Sequence, residues 1–333
     1  MTTINPAMKL RKFTAGIALS LAFSAAIAQQ VDYSVVSVQE ETGTDFMKIT
    51  SASDYVCLPQ VNRRRTDIDW FSNRILAITG NGQAIAYLSF RNGLTNVFIK
   101  ELTRQGSSIQ RTNRSNVIDF SFSPDGKTLC FSENRGDNNQ IFTTDATNGY
   151  TCRQITSGAM DYSPVYSPDM KRIFFSRLDS RGASIWSYDV ANNFMSSYST
   201  GINPCPVKDS SSIILSRVNS EGKGEIWKIN YDTGTEECLV ADAFKSFTTP
   251  SLSPDGRWIV FVGSSLITAP GIEYPNTDLY AIKTDGTALT QLTYHAADDL
   301  SPVWSHDGKY IYFISQRGDS NATANIWRMT FNY

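Results

Sequence analysis

The sequence predicts an all-β fold, a six-bladed β-propeller of four-stranded blades closed by an N-terminal strand. Three observations carry this. A short sentence of sequence recurs six times. Each recurrence contains four short strand-like runs. The last recurrence stops one strand short, and a matching strand stands near the N-terminus.

The recurrences are anchored on the turn Ser-Pro-Asp-Gly. Its last position is held by Gly82, Gly126, Met170, Ser210, Gly256 and Gly308, spaced 40–52 residues apart. A period of about 40–50 residues is that of a four-stranded propeller blade. In the turn, Pro presets φ, Asp accepts nearby backbone N–H groups and Gly takes a positive φ.

The third copy shows the four strands, A to D. They are read as A around 163–167, B at 171–176, C at 184–189 and D near 195–199. Strand B ("RIFFS", "WIVFV", "YIYFI") is apolar on both faces, as a strand covered on both sides must be. Strand C carries Ile-Trp or Leu-Tyr, and the C–D connections "DATNG", "YDTGT" and "KTDGT" are hairpin signals. The final copy ends at Tyr333 without a strand D, and "TGTDFMKITSASD" reads like the D-strand text "DGTALTQLTYHAAD". Phe46–Thr50 is therefore expected to complete the last blade, removing an open strand edge. Residues 51–70, with Arg63, Arg64 and Arg65, stand outside the repeat.

Ahead of the repeats, Lys9, Arg11 and Lys12 precede an apolar run from Phe13 to Ala26 and the small-x-small site Ala26-Ile27-Ala28. This is the pattern of a secretory signal peptide. The expected organisation is a signal peptide at 1–28, an N-terminal segment at 29–70 that includes the closing strand, and propeller repeats at 71–333. Cleavage near Ala28 removes three basic residues and no acidic one, moving the net charge from −2 to −5. That balance argues against a nucleic-acid partner. No second run is apolar enough to span a membrane. The five cysteines, Cys57, Cys130, Cys152, Cys205 and Cys238, lack C-x-x-C spacing and read as small buried hydrophobes, with Cys130 and Cys152 on non-adjacent strands.

With these motifs in hand, "FSFSPDGKTLCFSENRGDNNQIF" and "QLTYHAADDLSPVWSHDGKYIYFISQRGDSNATANIW" resemble the WD40-like repeats of TolB-type β-propellers, from about residue 71 to the C-terminus. Copies one and four are degenerate at the turn. The resemblance implies a six-bladed propeller in the periplasm or outside the cell. It also implies a part like that of TolB, which binds Pal and other envelope proteins in the Tol–Pal system. TolB carries an α/β domain ahead of its propeller. Only about 40 residues separate the signal peptide from the first repeat here, so that domain is not expected. Similar repeats occur in prolyl oligopeptidase relatives and oligogalacturonate lyases.

No G-x-S-x-G elbow is present, and the chain has only two histidines, His295 and His306. His306 fills a proline slot in a repeat turn, and two histidines cannot make the three-His metal site that the lyase resemblance would bring. The chain thus reads as non-catalytic and without a cofactor, its acidic loops leaving room for a structural calcium ion. Two Arg-Gly-Asp triplets, Arg135–Asp137 and Arg317–Asp319, occupy the same B–C turn and read as turn chemistry.

Antiparallel alternation puts the D–A and B–C connections on one face and the uniform A–B and C–D turns on the other. The irregular face carries Asp161 and Asp299, each eight residues before its turn Asp, at the mouth of the axis. It also carries the longest insertion, Gly263–Asn276, read as a loop offering Leu266, Ile267, Ile272 and Tyr274 as apolar anchors. These six residues are the candidate partner-binding set. The expected function is a monomeric, periplasmic or secreted scaffold that binds an envelope protein or peptide. The alternative is a carbohydrate-binding or carbohydrate-cleaving propeller with its site at the channel mouth.

Overall fold

The computed structural model describes residues 45–59, 62–63, 68–69, 74–91, 93–103, 106–114, 116–149, 151–208, 210–269, 272–318 and 323–333. The segment expected to be a signal peptide, 1–28, lies outside the described residues, as do Arg64, Arg65 and Asp319.

Among the described residues the chain is built of antiparallel β-strands with one short 3-10 turn, Ala52–Asp54. After β1 (Met47–Lys48) and a small ladder, β2 (Asn62–Arg63) with β3 (Ile68–Asp69), come groups of four. The first is β4 (Leu76–Ile78), β5 (Ala84–Ser89), β6 (Asn96–Glu101) and β7 (Ile109–Gln110). The second is β8 (Val117–Phe122), β9 (Thr128–Asn134), β10 (Asn139–Asp145) and β11 (Cys152–Gln154). The third is β12 (Met160–Tyr166), β13 (Arg172–Asp179), β14 (Gly182–Asp189) and β15 (Phe194–Thr200). The fourth is β16 (Ile202–Pro206), β17 (Ser212–Val218), β18 (Gly224–Asn230) and β19 (Glu236–Val240). The fifth is β20 (Ser246–Leu252), β21 (Trp258–Ala269), β22 (Ile272–Lys283) and β23 (Thr290–Gln291). The last group has three strands of its own, β24 (Asp299–Trp304), β25 (Tyr310–Ser315) and β26 (Asn325–Thr330).

That last group takes its fourth strand from β1, which pairs with β26 through Met47↔Arg328 and Lys48↔Trp327. Phe46 adds an edge-to-face contact with Phe313, 6.2 Å between centroids. Thr50 accepts the Ile326 N–H at 2.8 Å. The second and third groups are joined by one parallel pair, Asn139↔Met160.

Turn chemistry follows the sequence. Asp169 Oδ1 accepts the Ser167 hydroxyl at 2.6 Å and the Lys171 N–H at 3.1 Å, and Met170 holds φ 59° where other copies use glycine. The apolar strand B is covered on both sides: Phe131, Phe174, Phe175, Phe261 and Phe313 are all fully buried. Burial of each such ring is worth about 1.5–3 kcal/mol. Apolar clusters join neighbouring groups, and one cluster unites Val303 and Ile326 of the last group with Leu76, Tyr87 and Phe120 of the first two.

The first strand of each group lies innermost. β4 meets β8, β8 meets β12, and so on through β20 and β24, and β24 lies against β4. These strands carry β-bulges, four of them at an X-Pro step. The residue before the proline, Ser163, Asn203, Thr249 or Ser301, has φ between 52° and 55°. A bulge is where a strand tolerates a proline, which has no N–H to give.

Two expectations are corrected. Gly263–Asn276 is not a loop: β21 and β22 pair rung by rung out to Ala269↔Ile272, because uncharged Ser-Leu-Ile-Thr-Ala continues the ladder. Cys238 is exposed, since it lies on β19 at a sheet edge; Cys130 and Cys205 are buried, and all five thiols are free. Cys130 and Cys152 sit on β9 and β11 with β10 between them.

Candidate functional site

The face formed by the D–A and B–C connections is built from a repeated unit. An arginine near the end of strand B, or beside it, lies over an aromatic ring and meets a carboxylate. In the third group Arg177 gives Nε and Nη2 to the two oxygens of Asp161 at 2.7 and 2.9 Å. Its guanidinium lies 4.6 Å from the Trp186 ring. Arg217 pairs with Glu236 at 2.9 Å over Trp227. Glu133 holds Arg114 and Arg135 at 2.7 and 2.8 Å, both over Phe142. Arg317 pairs with Asp299 between Phe46 and Phe313. The planar guanidinium suits this double duty of fork and stack.

Asp161 and Asp299 are therefore brought to equivalent places, but each is 0% exposed. Their carboxylates face their own sheet's arginine and fix where it lies. The Asp161 bond holds the Arg177 guanidinium above its usual pKa. Of the two Arg-Gly-Asp triplets, Arg317 is buried in its pair, while Gly136 and Gly318 take φ 79° and 66°, so the glycines serve the turn.

The apolar candidates lie on the β21–β22 hairpin. Leu266 is 57% exposed and pairs with Pro275. Ile267, Ile272 and Tyr274 belong to the same two strands, with Ile267 opposite Tyr274. The sequence reading missed Phe244, which is 84% exposed. Asp242 Oδ1 accepts the N–H groups of Phe244 and Lys245 at 2.7 and 3.0 Å, turning the chain just before β20. Phe244 stands two residues before β20, and Leu266 two residues beyond Ser264, the last β21 partner of β20. No sequence signal in a five-residue connection marks that juxtaposition.

A second apolar area lies on the same side. Residues 52–56 lie along the end of β5: Val56 bridges Ser89, and the Phe90 N–H meets the Tyr55 carbonyl at 3.2 Å. Ala52, Ser53, Tyr55 and Val56 line an open cleft of about 530 Å³ with Phe90 and Thr323. Beneath it Asp54 accepts from the Ser51 N–H, the Ser108 hydroxyl, the Tyr87 hydroxyl and Lys100 at 2.7–3.1 Å. Burial pushes its carboxyl up, but the Ser51 N–H, Ser108 and Lys100 outweigh it and hold Asp54 below the usual carboxylate range.

The axis itself is polar. Asp119, Ser163, Asn203, Thr249 and Ser301 hold the same slot on successive innermost strands. Each can tie one group to the next: Ser163 N–H donates to Asp119 at 2.8 Å, the Ser163 hydroxyl to Asn203 at 2.7 Å, and the Ile75 N–H to Ser301 at 3.1 Å. Asp119 also accepts the Ser132 hydroxyl. Asp119 is wholly buried, and burial pushes its carboxyl up to about 6 against the pull of Ser132, the Ser163 N–H and Arg74.

A raised carboxyl makes folding favour the protonated form, so Asp119 costs stability as pH rises through about 6 and nothing below its unfolded value near 4. Asp119→Asn, which keeps an acceptor for Ser163, is expected to raise unfolding free energy at pH 8 by at most about 3 kcal/mol. The gain should vanish by pH 4. Urea melts at the two pH values check this; an equal gain at both would refute the assignment.

Among the described residues no group of three or more His, Cys, Asp or Glu stands placed to hold a metal ion, and no helix is long and apolar enough to cross a membrane.

Four-stranded antiparallel groups packed in cyclic order, with a polar axis, define a β-propeller class of protein. The chain matches the TolB beta propeller domain over residues 76–268, more than half its length, and belongs to that family. TolB from Acinetobacter baumannii is similar in structure, with TM-score 0.57 and 22% identity over 69% of this chain and 56% of that one. A TolB-type protein of Agrobacterium tumefaciens gives TM-score 0.60 at 18% identity over 78% of this chain and 90% of that one. Oligogalacturonate lyase from Vibrio parahaemolyticus gives 0.57 at 13% identity, covering 89% and 96%. At these identities the likeness concerns the fold. Dipeptidyl-peptidase 5 of Porphyromonas gingivalis is 30% identical over 93 residues, which are 26% of this chain and 13% of that protein.

Proposed function

We propose that this chain is a non-catalytic, protein-binding scaffold of the cell envelope, exported and cleaved near Ala28, and acting as a monomer. Its four-stranded groups form six blades, and β1 closes the ring on the sixth. The partner-binding set is the hairpin row of Leu266, Ile267, Ile272 and Tyr274, extended by Phe244. Asp161 and Asp299 serve it indirectly, by fixing the arginines of the same face.

The observation that carries this reading is Phe244 and Leu266, two large apolar side chains left in water at the same end of the β20–β21 ladder, each two residues past its last pair, Ser246↔Ser264. Exposed apolar residues gathered at one place mark contact surfaces, whereas scattered ones are ordinary. The TolB likeness supports a protein or peptide as the occupant.

The experiment is retention of envelope polypeptides on the immobilised mature chain. Phe244→Ser with Leu266→Ser is expected to reduce retention of a specific partner at least about tenfold, the loss of two apolar anchors, with the melting temperature unchanged. Unchanged retention, or none by a folded parent, would count against the scaffold.

A further inference from the structure

Each group of strands ends on an outer edge, and these edges differ. β1, β7 and β23 are two residues long, and β11 is three. β11 carries Arg153, and β19, with five residues, carries Glu236 and Glu237. Short strands and charges are the ordinary means of keeping another chain off a sheet edge. β15 has neither. It runs for seven residues, Phe-Met-Ser-Ser-Tyr-Ser-Thr, without a charge or a proline. Among the described residues it pairs with β14 alone.

This edge is held in place from behind. The Tyr198 ring packs 5.9 Å from Phe174 and 5.7 Å from Tyr231 of the next group, and its hydroxyl shares a hydrogen bond with that of Ser187 at 3.0 Å. Arg217 donates to the Ser199 hydroxyl at 2.6 Å and to the Thr200 carbonyl at 3.2 Å, which closes the far end of the strand. The open edge therefore runs from Phe194 to Ser199, about 20 Å at strand spacing. Phe194, at its start, is 65% exposed. In a strand paired on one side only, alternate residues turn their N–H and C=O groups to the other side. Groups fixed at strand spacing lose little freedom when a second chain meets them.

We propose that β15 is a docking edge for an extended, uncharged segment of another polypeptide, which adds antiparallel to it as a fifth strand of the third group. A row of backbone donors and acceptors recognises an extended backbone. A charged side chain brought to this edge would lose water, and β15 has no charge to pair with it. In the antiparallel sense the C-terminal end of the segment lies beside Phe194, and an apolar residue there covers the ring. A second copy fits less well. Two β15 edges paired over their full length would set each Phe194 beside the other's Thr200, where Arg217 and Glu236 stand, and leave both rings uncovered. The site belongs to the third group and does not depend on the hairpin of the fifth.

The probe is the capped peptide GASIWSY, residues 182–188, whose sequence in β14 already pairs with β15 from the other side. The labelled peptide is followed by fluorescence anisotropy and the full protein by hydrogen exchange. Saturable binding is expected, with slower exchange in β15 and unchanged exchange in β7, β11, β19 and β23. Two further peptides carry N-methyl groups, one at Ala183, Ile185 and Ser187, the other at Ser184, Trp186 and Tyr188. One should bind like the parent peptide and the other at least about tenfold more weakly, because only alternate N–H groups face the edge. Phe194→Ser, at an exposed position, should leave the melting temperature unchanged and weaken binding about two- to fivefold, the value of one cross-strand aromatic pair. Absence of binding, slowed exchange in another outer strand instead of β15, or an equal effect of the two methylation patterns would each overturn the assignment. A parent that sediments as a dimer, and that Phe194→Ser returns to monomers, would make a second copy the occupant and overturn the separate polypeptide.

Discussion

Arg177→Met is expected to lower the unfolding free energy by about 3–5 kcal/mol, the cost of leaving a buried carboxylate without its partner. Asp161 is 0% exposed, and Arg177 supplies both of its charge-assisted bonds. Methionine keeps an unbranched apolar side chain at this place and deletes the guanidinium, with its charge, its fork and its contact 4.6 Å from the Trp186 ring. The opposite change, Asp161→Leu, should cost less, because the Arg177 side chain retains 15% exposure and can turn its head toward water. The double variant should recover most of the loss, since a well-packed apolar pair replaces an ion pair at little net cost. Urea unfolding of the four proteins closes a double-mutant cycle. A single-variant loss below about 1 kcal/mol, the value of an exposed pair, would mean that water reaches Asp161. Partner retention gives a second readout. Arg177→Met should reduce it only if the guanidinium's position shapes the binding face.

This pair shows what the sequence makes legible and what it hides. Asp161 and Asp299 stand out because they recur at one offset from the turn, and the structure gives both the same role. Their arginines stand at offsets of 16 and 18 residues, Arg177 on the next strand and Arg317 two residues past the end of it. That difference comes from the length of the B–C end of each sheet, which the repeat does not fix. The turns and the doubly buried strands were legible because their causes are local: a proline and a glycine at fixed positions, and alternation that gives way to an apolar run. The pairing of β1 with β26 was legible too, since a missing strand and a surplus one are both visible in the text. Phe244 at the Leu266 end of the β20–β21 ladder, Asp54 under the first group, and Arg74 against Pro204 and Pro250 were not. Each depends on where separate strands meet after the chain has turned around the axis. No local pattern encodes an encounter between residues 74 and 250.

Removing the chain through Thr50 is expected to lower the melting temperature by on the order of 10 °C, from a loss of several kcal/mol in a chain of this size. Two ladder pairs would go, together with the Ile49 N–H bond to the Ile326 carbonyl at 2.8 Å and the Thr50 hydroxyl that accepts the Ile326 N–H. Phe46 would leave the face of Phe313 and the guanidinium of Arg317 it covers at 4.4 Å. These contacts are few, and their direct worth is modest. The larger effect is topological. With β1 in place the last sheet holds a strand from before the first group as well as its own three, so it cannot leave its neighbours without also breaking the β1–β26 pairing. Without it, β26 is an open edge and the last group can peel away from β4. The shortened chain should therefore unfold less cooperatively, and hydrogen exchange should become fastest in β24 to β26. It should also associate at high concentration, because an uncovered strand is a template for pairing. Ile49→Pro, which removes the N–H bond to the Ile326 carbonyl and keeps the rest, should show a smaller form of the same behaviour. Equal cooperativity and unchanged exchange in β24 to β26 would mean that the last group does not depend on β1.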